Sequence, residues 1–363
     1  MPSRNRFPPS AIAQKLASER GDAESTVTRL LHSHTDLTSL TDHAALKNYG
    51  AVEYLGIVAN ETLHRDPLYA LSIAKLAADV SETLPDSAYP PINLAQIRAH
   101  SWKNYGKVLG YLARYTEALD ALHFAESCLA SSPIYLGYDL AIVRFNIAVV
   151  LQEMNRCAES LPLLNECKNI FSEHGDTHLA LLSAYAEGVG LHRLRMFREA
   201  REIYILLLSW PDIEPQTLAS IHQSIGHCSI DLGDLDEAEI HLMEGIRLHR
   251  ELAQPLQALK GEFGLGRLYL QKGDYARALA HLQTLRYEFL RQSLAEEAGL
   301  CGLEIVQALL RLDRRSEAEN LARTVADEFT AAGLSHRATA ALDVAKEIRE
   351  TAQRPGYVSD ERR

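Results

Sequence analysis

The sequence predicts an all-α chain, a solenoid of stacked antiparallel helix pairs, and three observations carry that expectation. A small residue recurs at Ala118, Ser160, Ala200, Ala238, Ala278 and Ala318, at intervals of 42, 40, 38, 40 and 40 residues. Twelve positions before each stands Gly106, Ala148, Gly188, Gly226, Gly266 or Val306. Composition is the third: 47% of the 363 residues are hydrophobic, ample for a core, while two Trp and sparse Val/Ile runs give no encouragement to sheets. Self-similarity at a fixed period of this size marks a stack of supersecondary units, each burying its apolar stripe against the next.

From the N-terminus, residues 1–9 are basic and Pro-containing and read as a mobile arm. Residues 10–91 read as an atypical helical cap, with helices over about 41–64 and 67–84. Asp66-Pro67 makes a good start for the second, and Leu84-Pro85-Asp86 with Tyr89-Pro90-Pro91 ends the region. Ala70, Ile73, Ala74 and Ala77 are expected to face the first repeat. Inside the cap, residues 10–33 are similar to a helix-turn-helix, with Ala17, Gly21 and Val27 at the close contact, the turn and the packed second helix. Arg20 and Asp22 flank that turn where apolar residues belong, and Asp22 and Glu24 bring negative charge to the end meant for DNA. The alternatives are therefore a small helical cap and a DNA-binding segment whose solenoid serves as sensor and dimeriser.

Residues 92–332 hold the six hairpins. In Gly233-Asp234-Leu235-Asp236-Glu237-Ala238 and Gly273-Asp274-Tyr275-Ala276-Arg277-Ala278, a Gly suited to a left-handed conformation ends one helix and Asp opens the next. Elsewhere the spacing survives with other residues, as in Ala113-Arg114-Tyr115-Thr116-Glu117-Ala118. Leu119, Leu122, Ala125 and Leu129 follow a three/four rhythm, as do Leu279, Leu282, Leu285 and Phe289. Residues 333–353 predict a capping helix with Ala338, Leu342, Ala345 and Ile348 inward and Arg337, Lys346, Glu347 and Glu350 in water. Residues 354–363 read as a disordered polar tail.

In this register Trp102, Tyr105, Gly106 and Leu109, then Ile225, Gly226 and Ser229, then Leu265, Gly266 and Tyr269 resemble the first helix of the tetratricopeptide repeat. The likeness covers about 92–332. Two departures stand out. The period is near 40 residues rather than about 34, as in the extended repeats of bacterial regulatory proteins. The Trp position becomes Arg144, Ala184, His222, Glu262 and Gly302 in later units.

The resemblance implies a right-handed superhelix whose first helices line a concave groove. Carried over by position, the groove receives Lys103, Asn104 and Lys107, then Phe145, Asn146 and Val149, then Tyr185 and Val189. Gln223 and His227, Phe263 and Arg267, and Leu303 and Gln307 follow. Asn104 and Asn146 lie one repeat apart and would exchange hydrogen bonds with a partner's backbone, while Lys107 and Arg267 would attract acidic groups or a terminal carboxylate. Phe145, Tyr185 and Phe263 would form an apolar pocket, unless Phe145 and Phe263 are ordinary inter-helix core.

Other function classes find less support. A net charge of −11 disfavours a phosphate backbone as partner. Cys128, Cys157, Cys167, Cys228 and Cys301 are odd in number and without zinc-like spacing, and read as buried thiols in a reducing compartment. No stretch is apolar and long enough to cross a bilayer, so a cytoplasmic location is expected. His174/His178 flank a loop and His222/His227 lie five apart, neither spacing suited to a metal. Gly261-Glu262-Phe263-Gly264-Leu265-Gly266 lacks the Lys-Ser/Thr of a phosphate loop, and no GxSxG elbow or other catalytic signature occurs. The expectation is a non-enzymatic scaffold or regulator without cofactor. It would bind a protein or peptide in its groove, in bacterial signalling or transcription control, with homo-oligomerisation as a further alternative.

Overall fold

A computed structural model describes residues 9–34 and 36–353; of the arm expected over 1–9, residues 1–8 lie outside the described residues, as does the tail over 354–363, while Pro9 opens the first helix. Among the described residues there are sixteen α-helices and no strand. Contacts divide the chain into two compact units that meet between Arg195 and Met196, inside the turn of the Ala200 repeat.

The first unit opens with α1 (Pro9–Ser33), two short 3-10 turns (Leu37–Leu40 and Ala44–Leu46), α2 (Tyr49–Thr62) and α3 (Pro67–Thr83). Then come α4 (Pro91–Tyr111), α5 (Tyr115–Ala130), α6 (Gly137–Glu153), α7 (Cys157–Glu173) and α8 (Thr177–Arg193). The second unit comprises α9 (Phe197–Leu207), α10 (Pro215–Leu232), α11 (Leu235–Glu251), α12 (Pro255–Gln271), α13 (Tyr275–Arg291), α14 (Ala295–Arg311), α15 (Arg315–Ala331) and α16 (Ser335–Gln353). The fold is all-α, built of antiparallel helix pairs of the tetratricopeptide kind.

The period of the sequence returns in the backbone. The first helix of each pair ends on a residue with positive φ: Ala113, Asn155, Arg195, Gly233, Gly273 and Asp313, each five positions before the recurring small residue. Glycine occupies this place in only two of the six turns. Where it is absent, the paired bonds of a left-handed helix end still form: Ala113 N to Gly110 O at 3.0 Å and Arg114 N to Leu109 O at 2.9 Å. Tertiary packing of the two flanking helices holds these residues in a conformation that costs roughly 1–2 kcal/mol for a side chain with a β-carbon.

Small residues set the closeness of the crossing. A β-carbon on Gly106 would lie 2.8 Å from Leu122 Cγ, and one on Gly226 would lie 2.6 Å from Leu242 Cγ. In each pair the leucine stands 16 residues after the glycine, so the missing side chain on one helix is the socket for the large one on the other.

The N-terminal segment does not take the helix-turn-helix alternative. α1 is continuous through Gly21, so the turn that motif requires is not formed. Ala23, Val27 and Leu30 of α1 are buried and Leu16 is packed beside the core, a single stripe running across the glycine. α2 also presses on α1 at Gly50, where a β-carbon would fall 2.3 Å from the Glu19 backbone, and Arg20 clasps Glu53 with bonds of 2.6 and 2.8 Å. The helix expected over 41–64 begins later, at Tyr49, because local caps claim the preceding backbone: Asp36 and His43 cap the 3-10 turns and Asn48 Oδ1 accepts from Ala51 N at 2.8 Å. α3 follows its expected course, with Asp66 Oδ1 accepting from Tyr69 N at 3.0 Å and Ala70, Ile73, Ala74 and Ala77 wholly buried.

At the other end, α16 covers α15 with Ala338, Ala341, Ala345 and Ile348. Leu342 was expected inward and is instead 50% exposed. The buried stripe steps through positions 338, 341, 345 and 348, and 342 lies a further 100° or so around the helix from 341. All five cysteines are free and buried, and burial pushes the thiols of Cys167, Cys228 and Cys301 up to about 12.

Candidate functional site

In the first unit the leading helices of successive pairs touch: α2 with α4, α4 with α6, and α6 with α8. In the second, α10 touches α12 and α12 touches α14. Each unit therefore presents a face made of leading helices, and the candidate residues fall on these two faces.

On the first face Lys103 of α4 is half-buried and makes no hydrogen bond or ion pair with the described residues. It borders a space of about 30 Å³ between α4 and α6, shared with His100 and Asp139. Gln96 Nε2 donates to Asp139 Oδ2 at 3.1 Å, tying the two helices together at this point. Burial, reinforced by the charge of Lys107 and opposed by Asp139, pulls the Lys103 ammonium down to about 8. Burial and the neighbouring Lys103 hold His100 down at about 4, so its imidazole is neutral at physiological pH. Lys107 is exposed and donates to Asn60 Oδ1 of α2 at 2.9 Å.

The two asparagines do not form the expected row of amides. Asn104 is 1% exposed and faces α2, where a β-carbon on Gly56 would fall 2.8 Å from its Nδ2. The Nδ2 has no hydrogen-bond partner among the described residues. Asn146 is half-buried and turns Nδ2 back to Ile142 O of its own helix at 2.8 Å, a local bond that competes with any partner. Phe145 packs between hairpins against Ala148, Leu164 and Ala186, which makes it inter-helix core. Tyr185 is half-buried on α8, Val149 is 38% exposed and Val189 is half-buried.

The second face is satisfied by its own groups. Arg267 of α12 reaches Asp231 of α10 at 2.9 Å and Glu304 of α14 at 3.6 Å, a ladder across three leading helices. Burial pushes the Glu304 carboxyl up, against the pull of Arg267. Gln223 is buried and donates to Gln257 O at 3.0 Å, filling the space left by Gly245 and Gly261. His227 is half-buried against Gly264, and Phe263 packs with the core of α13 and α14. Leu303 is half-buried and Gln307 is exposed.

His100, Asp139 and Asn60 complete the first face and were missed from sequence, as were the partners of Arg267. A signal existed for the latter: Asp231 and Glu304 lie 36 and 37 residues from Arg267, one repeat less one helical turn, the offset that brings neighbouring leading helices level.

A helical-repeat protein whose leading helices align into faces is the class these features define. The chain has a fold of the tetratricopeptide-repeat kind, and the tetratricopeptide repeat profile matches residues 219–251, which span most of α10 and all of α11. No curated protein sequence matches the chain. Among solved structures it is similar to a Rap protein complexed with competence and sporulation factor, at 15% identity, with 94% of this chain and 98% of the other covered and a TM-score of 0.60. The apo form of the quorum sensor NprR from B. thuringiensis aligns at 12% identity over 94% of this chain and 99% of the other, with a TM-score of 0.60. The Rap conjugation gene regulator of the plasmid pLS20, in complex with the Phr peptide, aligns at 14% identity over 87% and 94%, with a TM-score of 0.53. At these identities the likeness is one of fold. No helix among the described residues is long and apolar enough to cross a membrane.

Proposed function

We propose that the chain is a non-enzymatic regulator or scaffold in the cytoplasm, and that the leading-helix face of its first unit binds a peptide or protein segment through an acidic group. Lys103 carries this reading. A half-buried ammonium with no hydrogen bond or ion pair, beside a second lysine and opposed only by Asp139, which lies outside ion-pair distance and accepts from Gln96, favours an anion, and a carboxylate placed there gains a charge-assisted hydrogen bond while relieving the repulsion from Lys107. The neutral His100 and the exposed Val149 add surface on which a short chain can lie. Two of the similar structures are held in complex with a competence and sporulation factor and with a Phr peptide, which supports a peptide as the partner's form. The face is preformed by helix packing, so binding does not have to order the receptor.

Titration of the full chain with a fluorescent hexapeptide containing two Glu and a free C-terminus tests the proposal, with the amidated Gln and Lys versions as controls. The acidic peptide binds the most tightly, and Lys103→Met weakens it by roughly tenfold, the scale of one lost charge-assisted bond. Equal binding of all three peptides, or full affinity in Lys103→Met, overturns it.

A further inference from the structure

In several pairs a residue at the family's Trp position meets a partner near the back of the hairpin. Trp102 lies against Phe124 with ring centroids 4.6 Å apart, Arg144 pairs with Glu166 at 2.6 Å, and Glu262 accepts from His281 through its carbonyl at 2.8 Å. In the α10/α11 pair both partners are imidazoles. His222 and His241, 19 residues apart in sequence, bring their Nδ1 atoms to 2.9 Å, with ring centroids 5.0 Å apart and planes tilted by 31°. The sequence reading weighed His222 against His227; the fold pairs it with His241, on the adjacent helix.

We propose that His222 and His241 form a two-histidine chelate for a late first-row divalent ion, copper(II) or nickel(II). At a metal–nitrogen bond of about 2.0–2.1 Å, donors 2.9 Å apart subtend about 90° at the metal. That is the angle of neighbouring positions in a square-planar or octahedral shell, whereas tetrahedral zinc needs donors farther apart, at about 3.3 Å. Both rings are half-buried on regular helices, so the bite is set by the helix crossing rather than by a loop.

Glu244 and Glu237 lie near the pair, each engaged by an arginine: Glu244 by Arg247 at 2.6 Å, which Glu251 also holds at 2.5 Å, and Glu237 by Arg201 at 2.8 Å, so the affinity of the site rests on the two imidazoles. Burial, and for His222 the neighbouring His241, shifts both imidazoles below their usual range. In the metal-free pair one Nδ1 donates its hydrogen to the other. On chelation both rings carry their hydrogen on Nε2, so one ring changes tautomer and no proton is released. Among the described residues no group of three or more His, Cys, Asp or Glu completes a protein shell, and water takes the remaining positions.

The test titrates the full chain, freed of metal by chelator and dialysis, with copper(II) chloride or nickel(II) chloride at pH 7.5. One equivalent binds ahead of any weaker sites among the 15 histidines, and the copper(II) electron paramagnetic resonance spectrum shows coupling to two nitrogens. His222→Gln and His241→Gln each weaken that first equivalent by roughly tenfold or more, while His227→Gln leaves it unchanged. Circular dichroism melts in chelator confirm that each variant is folded. If a glutamine variant melts early, the nitrogen coupling of the intact chain still decides. Binding that survives both glutamine substitutions, or a spectrum without two-nitrogen coupling, overturns the proposal.

Discussion

Gly266 and Leu282 meet where α12 crosses α13, so closely that a β-carbon on Gly266 would lie 2.3 Å from Leu282 Cδ2. The relationship is volumetric. Where the leading helix carries Gly106, Gly226 or Gly266, the residue 16 positions on is leucine, and after Gly188 it is Tyr204; where it carries Val306, the corresponding residue is Ala322, and both are buried in one cluster. Large and small exchange sides while the crossing keeps its volume.

Gly266→Ala is therefore expected to destabilise the chain by about 1–3 kcal/mol, despite alanine's better helix propensity. Leu282→Ala alone costs about 2–5 kcal/mol through the cavity it leaves. In the double variant the added methyl enters that cavity, and the combined loss falls short of the sum by roughly 1 kcal/mol or more. Urea unfolding of the four proteins measures the coupling; strict additivity would mean that the two side chains do not share a space.

The left-handed turns give a prediction of opposite sign. Ala113 has φ of 57° at an exposed turn, so Ala113→Gly relieves strain there. The expected gain is about 0.5–1 kcal/mol, the strain relieved less the extra freedom of glycine in the unfolded chain. Asn155→Gly, at φ of 59°, gains less, because asparagine tolerates this conformation. Denaturation midpoints of the two variants check the order.

The proposed role of Lys103 predicts a pH-dependent peptide affinity. Its ammonium titrates near 8, and a bound carboxylate favours the charged form. Affinity for the acidic hexapeptide is full at pH 7 and falls as pH rises through 8 to 9, where the wild-type site loses its charge; Lys103→Met removes this slope. Asn104→Ala leaves affinity within about twofold, because that side chain faces α2. Anisotropy titrations across this range supply the measurement.

On the second unit, Arg267→Ala removes the arginine facing Asp231 and Glu304, and a loss of about 1–3 kcal/mol is expected at pH 7. Glu304 has its carboxyl already raised by burial, and without Arg267 it rises further. A raised carboxyl is stabilising when protonated and costly when charged, so the deficit relative to wild type shrinks as pH falls from 7 toward 5. Parallel melts at the two pH values test the sign.

The candidate face was only partly legible from sequence. Register placed Lys103, Lys107 and Arg267 on leading helices, because helical periodicity fixes which residues share a side. It could not tell that Asn104 turns under α2 or that Phe145 closes a seam between hairpins, since those outcomes depend on how far each helix rotates toward its neighbour. The neutralisation of Arg267 by Asp231 and Glu304 likewise required three helices to be placed at once.

By itself the sequence determined the all-α architecture, the hairpin period and the small-residue crossings, because these follow from local geometry repeated along the chain. Only the tertiary structure decided that α1 runs straight through Gly21, that Lys103 is left without an ion pair while Arg267 is satisfied, and that His222 meets His241. Each of these is a balance of burial and charge among residues far apart in sequence, and that balance exists only once neighbouring helices have packed.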